Sequence, residues 1–482
     1  MSTFAEHLDH PLARGHTPAD AFTGAAGGAA CGDLIRLSLA TDGRRITDAG
    51  FDASGCAAAL AAASATVELA IGRGLLEAAR LGAQDVSEAL DGLSPAKRHA
   101  AELAADALHR ALGAAVRERG ALVPRPDRLL VAMSGGVDSA VAALLCARAG
   151  QTVGVTLELW SDPENDGELS CCSPQAVRAA RALAHGMGLA HLSIDLRAEF
   201  RAGVVEPWLA EHAAGLTPNP CVRCNGGVRL EAMVALADRV GAAALATGHY
   251  ARVKRGPHGP LLRRAADPAK DQSYMLAALA PATLERLRFP LGERSKPEVR
   301  ALAADAALPV ADKPDSQDLC FLAGTGRSAF LARHGRLGER PGAIVDRRGR
   351  TLGRHRGAHG FTVGQRRGLR VGGAGEALYV LATDADANTV TVGTREQLRT
   401  STVSARDVTL YRPGAVIDGV KLRYRSAALA CEPLSGLPSG THERVELYLR
   451  EPIHGAAPGQ LACLLAGDVV VGHGTIDRSV AT

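Results

Sequence analysis

Aromatic side chains are scarce in this 482-residue chain, at 3% of the total. So few rings exclude a stacking platform for single-stranded bases, which needs aromatic faces in succession along a groove. Long apolar runs are lacking too. The longest, residues 57–72, is alanine-rich and interrupted by Glu68, too short and too polar to span a bilayer. Glu6 and Asp9 stand where a leader peptide needs a basic and then an apolar run, so export is not expected and a cytoplasmic location without membrane contact is. Ten cysteines over this length are too sparse for a disulfide scaffold. In a reducing compartment cysteines at that density are metal ligands or reactive thiols. No internal repeat is evident.

The remaining composition, 46% hydrophobic and 22% charged, is that of a soluble globular protein, and the length calls for two to four domains. The net charge of +4 is unevenly placed. As far as Arg125, 12 Lys/Arg stand against 15 Asp/Glu, so the rest of the chain carries the whole positive excess. Residues 327–370 hold 12 arginines against only Glu339 and Asp346. Such a stretch reads either as a solvated face or as a surface for phosphate backbones, which arginine grips in bidentate geometry.

Four regions separate on pattern: residues 1–121, 122–324, 325–400 and 401–482. The first has apolar segments around Asp42-Gly43, a hairpin signal, followed by Ala/Leu-rich helical patterns at 57–72 and 96–117. Pro124 and Pro126 mark residues 122–127 as a linker. The second region alternates short apolar strands (RLLVAM, TVGVTLEL, AHLSIDL, AALATGHY) with helical runs, which predicts a parallel sheet covered on both faces. Beyond Gly324 the helical signal fades and Gly-rich turns separate short strands, predicting two small β domains that divide near Thr400.

The sharpest motif is SGGVDS, Ser134 to Ser139, directly after RLLVAM and opening a helix. Two glycines let the backbone approach an anion, and a helix N-terminus offers unpaired N–H groups and a positive dipole. The lysine of the GxxxxGK[ST] loop is missing, which excludes the P-loop of kinases and motor ATPases. The order strand, glycine loop, helix points to nucleotide phosphates rather than to an ordinary tight turn. SGGVDS resembles the loop of enzymes that split ATP into AMP and pyrophosphate. Downstream, TPNPCVRCN supplies Cys221 and Cys224, and DSQDLCF supplies Cys320. Taken alone, a CxxC is equally half of a zinc knuckle or a redox dithiol. Cys171-Cys172 is adjacent in sequence and makes a poor second pair for zinc.

SGGVDS, TPNPCVRCN, ATGHYAR, KDQSYML, DSQDLCF, FTVGQRRGL, the RYR of KLRYRS and EPIHGAAPGQ occur in the order found in tRNA-specific 2-thiouridylases, which the chain resembles from about Arg128 onward. The resemblance implies an α/β domain of the adenine-nucleotide α-hydrolase type followed by two small β domains, the last a β-barrel. It implies that ATP, with Mg2+, adenylates the C2 oxygen of the wobble uridine in tRNAs for Lys, Glu and Gln. Sulfur from a cysteine desulfurase or its relay proteins then displaces AMP. Carried over, Ala132, Met133, Ser134, Gly135, Gly136, Val137, Asp138 and Ser139 hold the phosphates, and Leu157 and Gly248 line the adenosine pocket. Cys224 is the nucleophile and Cys320 the persulfide carrier, and the two close a disulfide as sulfur leaves. Asn219, Pro220 and Cys221 face the target base. His249, Lys270, Asp271, Gln272, Gln365, Arg423 and Tyr424 contact tRNA. Many relatives have aspartate at the position of Cys221. Three cysteines suit a 4Fe-4S cluster with one open iron, so a cluster route and a persulfide relay both stand.

The first region resembles the U-type (NifU/IscU-like) iron–sulfur scaffold, an α+β domain, through HPLARG, GGAACGD, ITDAGFDASGCAAALAAAS and LSPAKRHAAELAADAL. The ligands that carry over are Cys31, Asp33, Cys56 and His99. Ala100 stands where the third cysteine belongs. The domain is therefore an active scaffold or a retained docking domain. Two rival functions are an amide-forming ATP pyrophosphatase sharing only the loop and a non-catalytic iron–sulfur carrier. The three separated cysteines argue against the first, and the intact loop against the second.

Overall fold

The computed structural model describes residues 3–28, 32–162, 173–315, 319–322, 324–369, 371 and 376–478. The N-terminal region forms an antiparallel sheet of Phe22–Gly27, Leu34–Thr41 and Ile46–Ser54 in sequential order. Its second turn is the Asp42-Gly43 hairpin. The Asp42 carboxylate accepts the N–H groups of Arg44 and Arg45 at 2.8 Å, and Gly43 takes φ +91°. Helices Ala57–Ala70 and Arg98–Arg119 pack on this sheet and on each other. Alanine favours the helix and lets the layers approach closely. At Gly24 a β-carbon would lie 2.1 Å from the Ala107 carbonyl oxygen.

The central sheet is parallel, in the order Leu287–Arg288, Ala242–Ala246, Arg125–Ala132, Gln151–Glu158, Ala190–Asp195. Seven of the eight residues of Gln151–Glu158 are buried, as expected of a strand covered on both faces. The linker expected at 122–127 is tighter than its prolines suggest. Leu122 N–H donates to Arg239 O and Arg125 N–H to Gly241 O, so the sheet begins at Arg125. Pro126 is accommodated because it sits at a register shift near the start of the strand.

Helix Arg98–Arg119 covers the exposed edge of that sheet. His109 Nδ1 faces the His191 carbonyl at 3.1 Å, a β-carbon on Gly113 would lie 1.9 Å from Ser193 O, and Arg117 Nη1 donates to Asp195 O at 2.7 Å. Four residues of helix rise about 6 Å and two of strand about 6.6 Å, so helix and strand run side by side in register. Asp106 takes ion pairs from Arg178 and Arg181, and Arg110 pairs with Glu158. One apolar cluster consequently runs from the N-terminal helices through the sheet.

The C-terminal regions are a four-stranded sheet (Thr351–His355, Gly342–Val345, Thr389–Gly393, Tyr379–Asp384) and an eight-stranded sheet whose longest strands are Arg399–Leu410 and Gly440–His454. The eight-stranded sheet includes the hairpin Ala251–Lys254 and Leu261–Arg264 from the central region, joined through Arg263 and Val469. One helix departs from the sequence expectation. Arg327–Gly335 is helical, because Phe330 and Leu331 bury against an aromatic group of Trp160, Trp208 and Phe321. The scarce rings are concentrated there. Among the described residues no helix is long and apolar enough to cross a membrane.

Candidate adenylation and sulfur-transfer site

The phosphate loop follows the carboxyl end of Arg125–Ala132. Gly135 adopts φ +70°, and Gly136 caps helix Val137–Ala149. Ser139 Oγ closes the loop by accepting Ser134 N–H at 3.1 Å and donating to Gly136 O at 3.0 Å. Ala132, Met133 and Leu157 are buried beneath it. Gly248 abuts the loop from the neighbouring strand. A β-carbon there would lie 2.8 Å from the Asp138 carbonyl carbon and the Ser139 nitrogen.

Several residues that the sequence did not single out converge on Asp138. Its Oδ1 accepts Tyr250 Oη at 2.9 Å and Lys296 Nζ at 2.6 Å. Lys296 also pairs with Asp315 at 2.8 Å, and Asp315 in turn with Lys270 at 2.7 Å. Burial would raise the Asp315 carboxyl, yet the two lysines hold it down at about 2. Lys313 Nζ donates to Gly135 O at 2.9 Å. Lys296 lies 158 residues past Asp138 and Lys313 lies 178 past Gly135, so only a view of the fold reveals these two.

Asn219 caps the one-turn helix Pro220–Cys224 by accepting Cys221 N–H at 3.2 Å. Cys221 and Cys224 are three apart and share one face of that turn. Cys224 is buried in the apolar cluster against which Cys320 also packs. No disulfide joins cysteines among the described residues. Distant motifs hold the preceding loop. Thr217 N–H donates to Pro458 O, Gln460 Nε2 to Thr217 O, and Thr217 Oγ1 to Thr362 Oγ1. Arg423 Nη2 reaches Gly455 O at 3.5 Å, and Gln365 braces its own turn through Thr362 and Arg367. TPNPC, FTVGQ, RYR and APGQ thus meet at one place.

The expected tRNA contacts are not alike in exposure. Arg423 is exposed, whereas Lys270, Gln272, His249, Gln365 and Tyr424 are partly covered. The Asp271 side chain is 1% exposed and bracketed by Ala265 N–H, Ser273 and the cations Arg264 and Lys421. The Asp271 carboxylate is therefore engaged within the fold by these partners. Burial lowers the His249 pKa to about 3, leaving a neutral imidazole in contact with Thr247 Oγ1.

In the N-terminal region the ligand atoms of Asp33, Cys56 and His99 all lie within 4.8 Å of one another. Cys56 N–H donates to Asp33 Oδ1 at 2.8 Å, and Cys56 Sγ and His99 Nε2 reach Oδ2 at 3.1 and 2.9 Å. His99 Nδ1 faces Ala96 O at 3.0 Å, which leaves Nε2 as the ligand nitrogen. Burial raises the Asp33 pKa, but these hydrogen bonds outweigh it and hold the carboxyl below its usual value. Gly55 is required beside them, since a β-carbon would meet Asp33 Oδ1 at 2.1 Å. The triad fits a single metal ion. Cys31 lies outside the described residues, and Ala100 is fully buried in the helix. His99 sits 18 residues before Arg117, about 27 Å along the helix. Arg117 marks the end of the sheet that carries the phosphate loop, so the triad opens at the opposite end.

A parallel sheet with a glycine-rich loop and helix N-terminus at its carboxyl edge defines a nucleotide-binding α/β enzyme. Four family models match in succession: NifU-like N terminal domain (residues 2–119), tRNA methyl transferase HUP domain (127–324), tRNA methyl transferase PRC-barrel domain (328–394) and Aminomethyltransferase beta-barrel domain (414–476). The chain is 42% identical to the bifunctional protein NifU/MnmA of Rubrobacter xylanophilus over 98% of its own length and 97% of that protein's. It is 45% identical to the tRNA-specific 2-thiouridylases MnmA of Acidothermus cellulolyticus (73% of this chain, 98% of that one) and Thermobifida fusca (72% and 95%). The chain belongs to the tRNA-specific 2-thiouridylase family, in the form fused to a NifU-like N-terminal domain.

Proposed function

We propose that this chain makes 2-thiouridine in tRNA. The uridine C2 oxygen attacks the α-phosphorus of ATP and the bond to pyrophosphate breaks. Hydrosulfide-level sulfur then adds at C2 and AMP leaves with the oxygen, so uridine, ATP and sulfide become 2-thiouridine, AMP and pyrophosphate. The observation that carries this reading is the meeting of the TPNPC, FTVGQ, RYR and APGQ segments around the cysteine turn, in a fold that also presents the phosphate loop.

In this reading residues 132–139 cradle the phosphates, Asp138 takes Mg2+, and Leu157 and Gly248 flank the adenosine. Asn219 and Pro220 set the cysteine turn against the base of a Lys, Glu or Gln tRNA. His249, Lys270, Asp271, Gln272, Gln365, Arg423 and Tyr424 surround the RNA. A cysteine desulfurase or its relay proteins supply sulfur. Residues 1–121, 122–324, 325–400 and 401–482 serve as the scaffold-like, catalytic, central β and C-terminal β domains.

Cys221, Cys224 and Cys320 would together offer an all-thiol donor set, which suits a 4Fe-4S cluster. When bound, such a cluster supplies an open iron that binds hydrosulfide; the protein's part is to hold it through the helical turn and the Cys320 segment. Without a cluster, a persulfide-bearing donor hands its outer sulfur to Cys320, that sulfur passes to C2 as Cys224 and Cys320 close a disulfide, and a thiol reductant reopens the disulfide. Anaerobic iron and sulfide analysis separates the routes. The cluster reading expects iron and visible absorption that vanish in Cys221→Asp, Cys224→Ala and Cys320→Ala, together with thiolation. Full thiolation by iron-free protein leaves the relay.

A further inference from the structure

The loop SGGVDS lacks the lysine with which a motor ATPase neutralises its β- and γ-phosphates. Lys296 and Lys313 reach it from elsewhere. Lys296 stands at the first position of helix Lys296–Asp305, 8% exposed, with Nζ on Asp138 and Asp315. Lys313 places its ammonium on the carbonyl of Gly135, the loop's left-handed glycine. A buried ammonium requires a partner, and its partners here are two carboxylates, one of which belongs to the phosphate loop itself. A carboxylate in a phosphate loop is the group that a divalent cation takes up when nucleotide arrives. The Lys296 ammonium then keeps Asp315 and is free to face the phosphate oxygens.

Resting on the adenylation reading above, we propose that Lys296 and Lys313 bind the pyrophosphate end of ATP and stabilise pyrophosphate as it leaves, with Asp315 as the positioning residue for Lys296. The two lysines would supply from outside the loop the charge that other phosphate loops carry within it. Neither changes covalently. The bond between the α-phosphorus and its bridging oxygen breaks, and the electron pair departs with pyrophosphate, where ammonium groups are worth most. Asp315 also holds Lys270 and touches Arg300 at 3.4 Å, so it fixes one wall of this cationic cup.

The test uses full-length protein with saturating tRNA and measures pyrophosphate release, product inhibition by pyrophosphate and ATP affinity for wild type, Lys296→Ala, Lys296→Arg, Lys313→Ala and Asp315→Asn. Lys296→Ala should release pyrophosphate about 100- to 1000-fold more slowly. Its inhibition constant for pyrophosphate should rise, while affinity for tRNA stays unchanged. Lys296→Arg should recover part of the rate, which a merely structural loss would not require. Lys313→Ala should weaken pyrophosphate inhibition in the same direction, and Asp315→Asn should lower the rate more than it changes ATP affinity. If Lys296→Ala and Lys313→Ala release pyrophosphate and are inhibited by it as wild type is, the inference is wrong although the enzyme's function stands. A wild-type protein that releases no pyrophosphate with tRNA overturns both.

Discussion

Gly248 shows how narrowly the adenylation site is built at the level of single residues. Its α-carbon packs on the backbone of Asp138 and Ser139, where nothing larger than hydrogen fits. Gly248→Ala should destabilise the protein by about 1–3 kcal/mol, the usual cost of overpacking, and should loosen ATP binding by displacing the helix N-terminus. Urea denaturation and an ATP titration of the variant check both effects. Unchanged affinity would mean that the loop tolerates the shift. The sequence displayed the loop, the cysteines and Gly248, because each sits in a compact motif. It did not display Lys296 or Lys313, whose neighbours ERSKPEVR and ADKP read only as a capped helix start and a turn. Nor did it display the enclosure of the Asp271 carboxylate by Arg264, Lys421 and three hydrogen bonds.

Among the elements, the arginine-rich stretch resolves into two populations. Arg350 pairs with Asp346, Arg356 with Glu339 and Arg333 with Asp162. Arg327, Arg336, Arg340, Arg347, Arg348, Arg354, Arg366 and Arg367 are exposed with no carboxylate partner among the described residues, Arg327 and Arg340 donating only to backbone carbonyls. The second population fits the phosphate-surface reading. Arg347→Ala with Arg348→Ala should flatten the dependence of log affinity for tRNA on log salt by about 0.7–0.9 for each phosphate no longer neutralised. An unchanged slope, measured by filter binding across a salt series, returns these residues to the solvated face. Helix Arg327–Gly335 was not legible in the sequence. Its stability comes from burying Phe330 and Leu331 among rings brought from Trp160, Trp208 and Phe321, a tertiary arrangement that local periodicity does not contain. The strands of the parallel sheet were legible, since burial on both faces writes itself as continuous apolar runs.

For the whole molecule, the fused N-terminal domain is part of the catalytic domain's architecture. Its long helix covers the edge strand, and Asp33, Cys56 and His99 gather at the start of that helix, at the other end from Arg117. The seam contains buried imidazoles. Burial, then the nearby Arg181 charge, holds His109 and His191 well below 6.5, although carbonyl oxygens on His109 pull the other way. Below pH 6.5 the unfolded chain takes up protons that the folded seam refuses. Stability is therefore full above that pH and falls as the pH drops, by at most about 1.4 kcal/mol per pH unit for each such histidine. A chain starting at Leu122 lacks His109 and exposes His191, and should melt lower at neutral pH yet lose less between pH 6.5 and 5. Parallel melting profiles for the two chains would contradict the seam as described.

Adenylation coupled to sulfur transfer is most directly tested by one stoichiometry. Full-length protein is incubated anaerobically with unmodified tRNA, ATP, Mg2+ and sulfide, and thiolated nucleoside and pyrophosphate are counted together. The expected result is 2-thiouridine at the wobble position of Lys, Glu and Gln tRNAs, with one pyrophosphate released for each and neither product from Asp138→Ala. Pyrophosphate without thiolated uridine, or thiolation that proceeds without ATP, would contradict it.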